Sequence, residues 1–129
     1  MLTGAIILLG ACSGSGGAGT YRVNQATGPL GAYLTGDDGL TLYTFKPDSP
    51  NTSTCTAGCA QAWPPFTVGA DDELEDGDRV DGALATFARD DGSLQVAYDG
   101  VPLYYFANDT IAGDTNGQGL DDTWFVAKP

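Results

Sequence analysis

The chain has 129 residues, with 17 acidic residues against 5 basic ones, a formal net charge of −12, no histidine and three cysteines. A surface this acidic excludes nucleic-acid binding, because phosphate recognition needs clustered Lys and Arg. The absence of His, with Met1 the one methionine, excludes a Ser-His-Asp triad, a histidine zinc ligand, a c-type haem signature and a histidine-ligated blue-copper site.

Residues 1–12 form a short apolar segment ending Leu9-Gly10-Ala11-Cys12. This resembles the bacterial lipobox, in which a Cys after small residues is diacylated and becomes the first residue after cleavage. The resemblance implies a lipid-bearing Cys12, a membrane partner reached through that lipid, and an extracytoplasmic location on the bacterial cell envelope. Eleven residues are too few to cross a hydrocarbon core of about 30 Å as a helix. Residues 13–19, rich in Gly and Ser, read as a flexible tether.

Residues 20–129 read as a single domain with one modest core. Nineteen glycines and repeated Asp-Gly pairs call for many tight turns and therefore for β structure. "TYRVNQ", "AYLTG" and "LTLYTF" are the first three strands, with "ATGPLG" a looser connection between the first two. The third lies within "DGLTLYTFKPD", where side-chain alternation puts Tyr43 and Phe45 on one face and Leu42 and Thr44 on the other.

Cys55 and Cys59 then enclose "TAG". In an exported chain this spacing reads as a local disulfide. The rival is a redox-active pair, but Cys-x-x-x-Cys lacks the thioredoxin spacing and has no neighbouring Lys or His to lower a thiol pKa. A strand begins at Trp63, "WPPFTV", and residues 69–82, "GADDELEDGDRVDG", read as a solvated acidic linker.

The second half repeats the first. "ALATFAR", "SLQVAYD" and "VPLYYFA" are strand-like runs separated by Asp-Asp-Gly and Asp-Gly, strong short-hairpin signals. "DGVPLYYFAND" matches "DGLTLYTFKPD" at a displacement of 61 residues. Without gaps, Gly31 meets Gly92, Tyr43 meets Tyr104, Phe45 meets Phe106, Asp48 meets Asp109 and Trp63 meets Trp124. That is a tandem duplication. The expected fold is all-β: two β-meander repeats, about 20–68 and 81–129, related by a pseudo-two-fold and sharing one core. Each Trp should plug that core against the aromatic face.

The motifs Tyr43-Thr-Phe45-Lys-Pro-Asp48 and Tyr104-Tyr-Phe106-Ala-Asn-Asp109, with "CTAGCAQAWPPF" and "GDTNGQGLDDTWF", resemble a bacterial family of predicted secreted lipoproteins. That family is defined by a Tyr-x-(Phe/Trp/Tyr)-x-x-Asp repeat and has no known function. The resemblance covers residues 30–128 and implies a lipid-anchored, extracytoplasmic, two-repeat domain without supplying a reaction.

Two sets of residues remain as candidate sites. The first is the motif Asp pair, Asp48 and Asp109. The plainer role, preferred here, is an Asx-turn or cap at the strand end; the sharper one is to accept a hydrogen bond from a neighbouring Tyr hydroxyl or to ligate a cation. The second is the loop "GDTNGQGLDD", where Asp114, Asn116, Gln118, Asp121 and Asp122 offer oxygen ligands. Their spacing loosely resembles calcium loops but lacks the closing Glu of an EF-hand. Calcium is the one ion this chain would take; no other cofactor is called for. The paired acids Asp71-Asp72, Asp90-Asp91 and Asp121-Asp122 sit in Gly-rich turns, where carboxylates stay solvated and untuned, so no enzymatic activity is expected. The reading is a lipid-anchored module that binds a ligand or envelope partner; cation-dependent binding is the alternative, and an electron-transfer accessory using Tyr and Trp comes third.

Overall fold

The computed structural model describes residues 19–129. The lipobox with Cys12, and the tether up to residue 18, lie outside the described residues.

Nine strands build the domain. The first repeat contributes β1 (Thr20–Gly28), β2 (Gly31–Thr35) and β3 (Tyr43–Phe45), then a one-turn helix α1 (Gly58–Ala62) and β4 (Thr67–Val68). After β5 (Glu73–Asp76) the second repeat adds β6 (Leu84–Ala88), β7 (Leu94–Tyr98), β8 (Val101–Pro102) and β9 (Trp124–Val126). β1 and β2 form an antiparallel hairpin, as do β6 and β7. The expected all-β duplication is therefore present.

Turn chemistry explains the hairpins. Asp99 and Gly100 have φ of 52° and 83° and connect Tyr98 to its partner Val101, a two-residue turn with both central residues left-handed. The "ATGPLG" segment is tighter than expected. Gly28 pairs directly with Gly31, so Pro29 and Leu30 alone make the turn. Its counterpart after β6 has one more residue, since Arg89 N–H donates to Ser93 O across Asp90, Asp91 and Gly92. The gapless alignment therefore fails locally. Leu34 and Val96 are equivalent, Leu34 donating to Ala127 O and Val96 to Phe66 O, each at 2.8 Å. Their displacement is 96 − 34 = 62, whereas Ala127 and Phe66 differ by 127 − 66 = 61. One residue fewer between β7 and the second motif restores the register.

The repeats interlock. Tyr43 N–H donates to Tyr104 O (2.7 Å) and Tyr104 N–H to Tyr43 O (2.9 Å), so the two motif tyrosines pair with each other across the pseudo-two-fold. Each Trp segment joins the other repeat. β9 runs antiparallel to β3, and Pro65 bridges Tyr104 while β4 pairs with β7. β4 is shorter than "WPPFTV" suggested because Pro64 and Pro65 have no N–H to donate.

The segment read as a solvated linker needs correction. Glu73–Asp76 is a strand that pairs in parallel with Thr20–Val23, Leu74 packs against the core, and Val80 is buried. Apolar residues at alternate positions of an acidic run give a strand one buried face.

Side-chain alternation along the motif strands divides the core into two layers. Leu42 and Leu103 join Val23, Leu34, Phe66 and Val96 in an aliphatic layer. Tyr43 and Tyr104 join Trp63, Phe106, Trp124 and Val126 in an aromatic one. Both layers draw on both repeats, so the core is shared.

Candidate functional site

The aromatic layer is organised about the pseudo-two-fold. Trp63 and Trp124 stack with ring centres 3.8 Å apart and planes 2° from parallel. Phe106 caps Trp63 and Phe45 caps Trp124, each at 4.2 Å and 22°. The result is a continuous stack, Phe106–Trp63–Trp124–Phe45. Tyr43 meets Trp63 edge-on at 5.3 Å, and Tyr104 meets Trp124 edge-on at 5.2 Å. Offset-stacked and edge-to-face geometries are the favoured ones for such pairs, worth about 0.5–1.5 kcal/mol each beyond area burial. Each Trp plugs the core as expected, but its stacking partner is the other Trp.

The motif carboxylates close this arrangement crosswise. Tyr43 O–H donates to Asp109 Oδ2 at 2.6 Å, and Tyr104 O–H donates to Asp48 Oδ2 at 2.5 Å. Each tyrosine therefore reaches the aspartate of the other copy. The second oxygens do turn-fixing work: Asp48 Oδ1 accepts Thr54 N–H and Thr54 O–H, both at 2.8 Å, and Asp109 Oδ1 accepts Asn116 N–H at 3.0 Å. One carboxylate thus fixes its own loop with one oxygen and ties down the opposite repeat with the other. The two sites differ in burial, since Asp109 is 6% exposed while Asp48 is half-buried. Burial, and then the bond to Asp48, push the Tyr104 phenol up to about 12. The same causes, with Asp109 as partner, raise Tyr43 further.

Cys55 and Cys59 form a disulfide with Cα atoms 5.2 Å apart, and Cys55 lies wholly within the aromatic layer. The bridge opens into α1, which leads the chain to Trp63.

The candidate calcium ligands serve the fold. Asp114 Oδ2 accepts Thr110 N–H (2.9 Å) and Ile111 N–H (3.2 Å), and Gln118 Oε1 accepts Val126 N–H (2.8 Å). Asn116 donates its side-chain amide to Asn108 O at 3.4 Å, while Asp121 and Asp122 stand at left-handed φ of 55° in the turn before β9. Among the described residues no three His, Cys, Asp or Glu side chains are grouped to hold a metal.

One network was not anticipated from the sequence. Arg89 donates to Ser53 Oγ (2.9 Å), Gln95 Oε1 (2.7 Å) and Cys55 O (2.8 Å), and Ser53 Oγ lies 2.6 Å from the Tyr104 hydroxyl. Gln95 is fully buried and its Nε2 donates to Leu103 O at 2.8 Å. The signal was a lone amide within the apolar strand "LQVAY", since a buried polar side chain requires partners.

A family model described as a secreted repeat of unknown function matches residues 25–67 and again residues 85–128. The chain belongs to this family of secreted repeats. Both copies of the secreted repeat fall on the units interlocked above, each match running from the first strand of a unit to its Trp segment. The family description places the chain outside the cytoplasm. Among the described residues no helix is long and apolar enough to cross a membrane. No curated protein and no solved structure matches this secreted-repeat chain.

Proposed function

We propose that the chain is a lipid-anchored, non-enzymatic module that binds a ligand or envelope partner at the cell surface. The observation that carries this reading is the crosswise Tyr–Asp pairing, in which the repeated motif is consumed in joining the two units. Each carboxylate already has donors on both oxygens, and each phenol is held well above its ordinary pKa, which makes it a poor proton donor at neutral pH. A domain built this way is a stiff platform, suited to presenting surface loops and grooves. The Gly/Ser tether after Cys12 supports presentation away from a membrane, and two or more acyl chains give stable anchoring where one is marginal. Expression of the natural gene with and without Cys12→Ser, followed by membrane fractionation, tests the anchor. Equal membrane retention of both forms defeats it. Calorimetric titration with calcium separates the reading from a cation-dependent one. Stoichiometric heat that disappears in Asp121→Asn/Asp122→Asn moves the function to that loop.

An electron-transfer role has one observation in its favour, the continuous stack of four rings with hydrogen-bonded tyrosines beside it. Photochemical oxidation by a ruthenium(III) sensitiser tests this role. A long-lived tryptophan or tyrosine radical, shortened in Trp63→Leu, supports it, and decay at the rate of free tryptophan excludes it.

A further inference from the structure

The two repeats are alike in the aromatic layer and unlike in the aliphatic one. On the first-repeat side that layer is closed by Tyr105, which packs on Phe66 with ring centres 5.5 Å apart. Tyr21 meets the same Phe66 edge-on at 6.2 Å. The space for Tyr105 exists because residue 36 is glycine: a Cβ there would collide with the Tyr105 hydroxyl and lie 3.2 Å from Asp38 Oδ1. The phenol therefore ends beside a carboxylate, with its ring over an apolar floor. Burial, followed by the charges of Asp38 and Asp37, raises its pKa.

The pseudo-two-fold carries each of these residues to a counterpart on the other side. Tyr105 becomes Thr44, Phe66 becomes Ala127, Tyr21 becomes Gly82, and Asp38 becomes Asp99. Three rings are lost. One returns, because Gly36 is replaced by Tyr98, but the Tyr98 hydroxyl accepts Gly82 N–H at 2.7 Å. Its ring is thereby drawn towards the position that Tyr21 holds in the first repeat. The position equivalent to the Tyr105 ring is left open. At that place the surface holds a groove of about 360 Å³, bordered by Thr44 and Asp99 and floored by Leu103 and Val126. Its volume is within the range of small-molecule sites. Leu103 is fully buried and Val126 nearly so, which gives the groove a rigid apolar base, while Val101 at its edge is 41% exposed. Asp99 holds Ala83 N–H with Oδ1 at 2.8 Å, which fixes the carboxylate at the rim.

We infer that this groove binds a free single-ring phenol, whose ring takes the place that Tyr105 fills in the first repeat and whose hydroxyl donates to Asp99. The inference deepens the binding-module reading, on which it rests, by naming a ligand class. It does not depend on the lipid or on calcium, so its failure would leave the fractionation and calcium results as they stand.

The test is NMR titration of the full chain with p-cresol, with toluene and with N-acetyltyrosinamide. Saturable shifts of the Thr44, Val101, Leu103 and Val126 amides are expected with p-cresol. Toluene should bind several-fold more weakly, and Asp99→Asn should erase that preference. Thr44→Tyr supplies the missing ring from within. It should fold, melt no lower than the parent, and lose the p-cresol shifts. Should Thr44→Tyr not fold, Val101→Phe on the exposed edge obstructs the same groove and should give the same loss. The inference is overturned by absence of saturable shifts at these amides, by p-cresol binding that survives the folded blocking variant, or by equal affinity for toluene and p-cresol. Tighter binding of N-acetyltyrosinamide than of p-cresol also overturns it, by making the occupant a tyrosine of a protein partner.

Discussion

Replacing Asp109 by Asn tests the crosswise pairing where it is most buried. Asp109 accepts the Tyr43 hydroxyl on one oxygen and Asn116 N–H on the other, and the Tyr43 oxygen itself accepts Gly117 N–H at 3.1 Å. Asparagine is nearly isosteric but has only one acceptor oxygen. If that oxygen faces Tyr43, its amide N–H₂ meets Asn116 N–H; if it faces Asn116, the Tyr43 hydrogen loses its acceptor. Either way one buried donor is left unpaired, at a cost of about 1–3 kcal/mol, and a charge-assisted bond is lost. The expected destabilisation is about 2–4 kcal/mol, which for a domain of this size lowers the melting temperature by roughly 8–16 °C. Asp48→Asn should cost less, about 1 kcal/mol. Asp48 is half-buried, its oxygen can stay on Thr54, and the Tyr104 hydroxyl can turn to Ser53 Oγ. Thermal and urea denaturation in calcium-free buffer measures both variants. Adding Tyr43→Phe to Asp109→Asn should cost less than the sum of the single changes by on the order of 1–2 kcal/mol, because both remove one interaction. Equal effects at the two aspartates, or wild-type melting of Asp109→Asn without calcium, would refute the reasoning. Loss of a calcium-induced stabilisation as the sole defect would make the motif a binding site instead.

Three further outcomes follow from the same structure. Alkaline pH should destabilise the domain: the folded Tyr104 phenol, near 12, lies above its ordinary value of 10.0, so its contribution is intact below about pH 10 and is lost as pH rises through 12. Two units correspond to about 3 kcal/mol, Tyr43 and Tyr105 act in the same direction, and a urea midpoint constant from pH 8 to pH 12 would contradict this. Non-reduced peptide mass spectrometry should find Cys55 and Cys59 joined; because the closed loop is short, reduction should cost only about 2 kcal/mol, and two freely alkylated thiols after oxidising export would sink the assignment. Residues 20–68 alone should remain unfolded by circular dichroism and amide exchange, since Trp63 would lose Trp124 and β4 would lose β7; a cooperative melt of that fragment would overturn the shared core.

The duplication, the β class and the two faces of the motif strand were legible in the sequence because each is a local pattern. Tyr43 and Phe45 share a face by strand alternation alone, and Asp99-Gly100 makes a hairpin turn because both positions need left-handed backbone. Cys55 and Cys59 are close in sequence, so their bridge asks little of the fold. What the sequence could not decide is which copy each group serves. Identical motifs present the same donors and acceptors whether Tyr43 bonds Asp48 in its own repeat or Asp109 in the other, and a tandem repeat reads the same for units that close on themselves and units that interlock. Tertiary structure decides this by placing Tyr43 and Tyr104 opposite each other, where backbone pairing across the pseudo-two-fold swings each phenol to the far carboxylate and brings Trp63 against Trp124. The same holds for β5, whose acidic run became a strand only because β1 offered an open edge for Glu73–Asp76 and an apolar surface for Leu74. It holds as well for the groove beside Thr44: a threonine opposite a tyrosine is a plain difference between two repeats until the fold puts a buried floor beneath it.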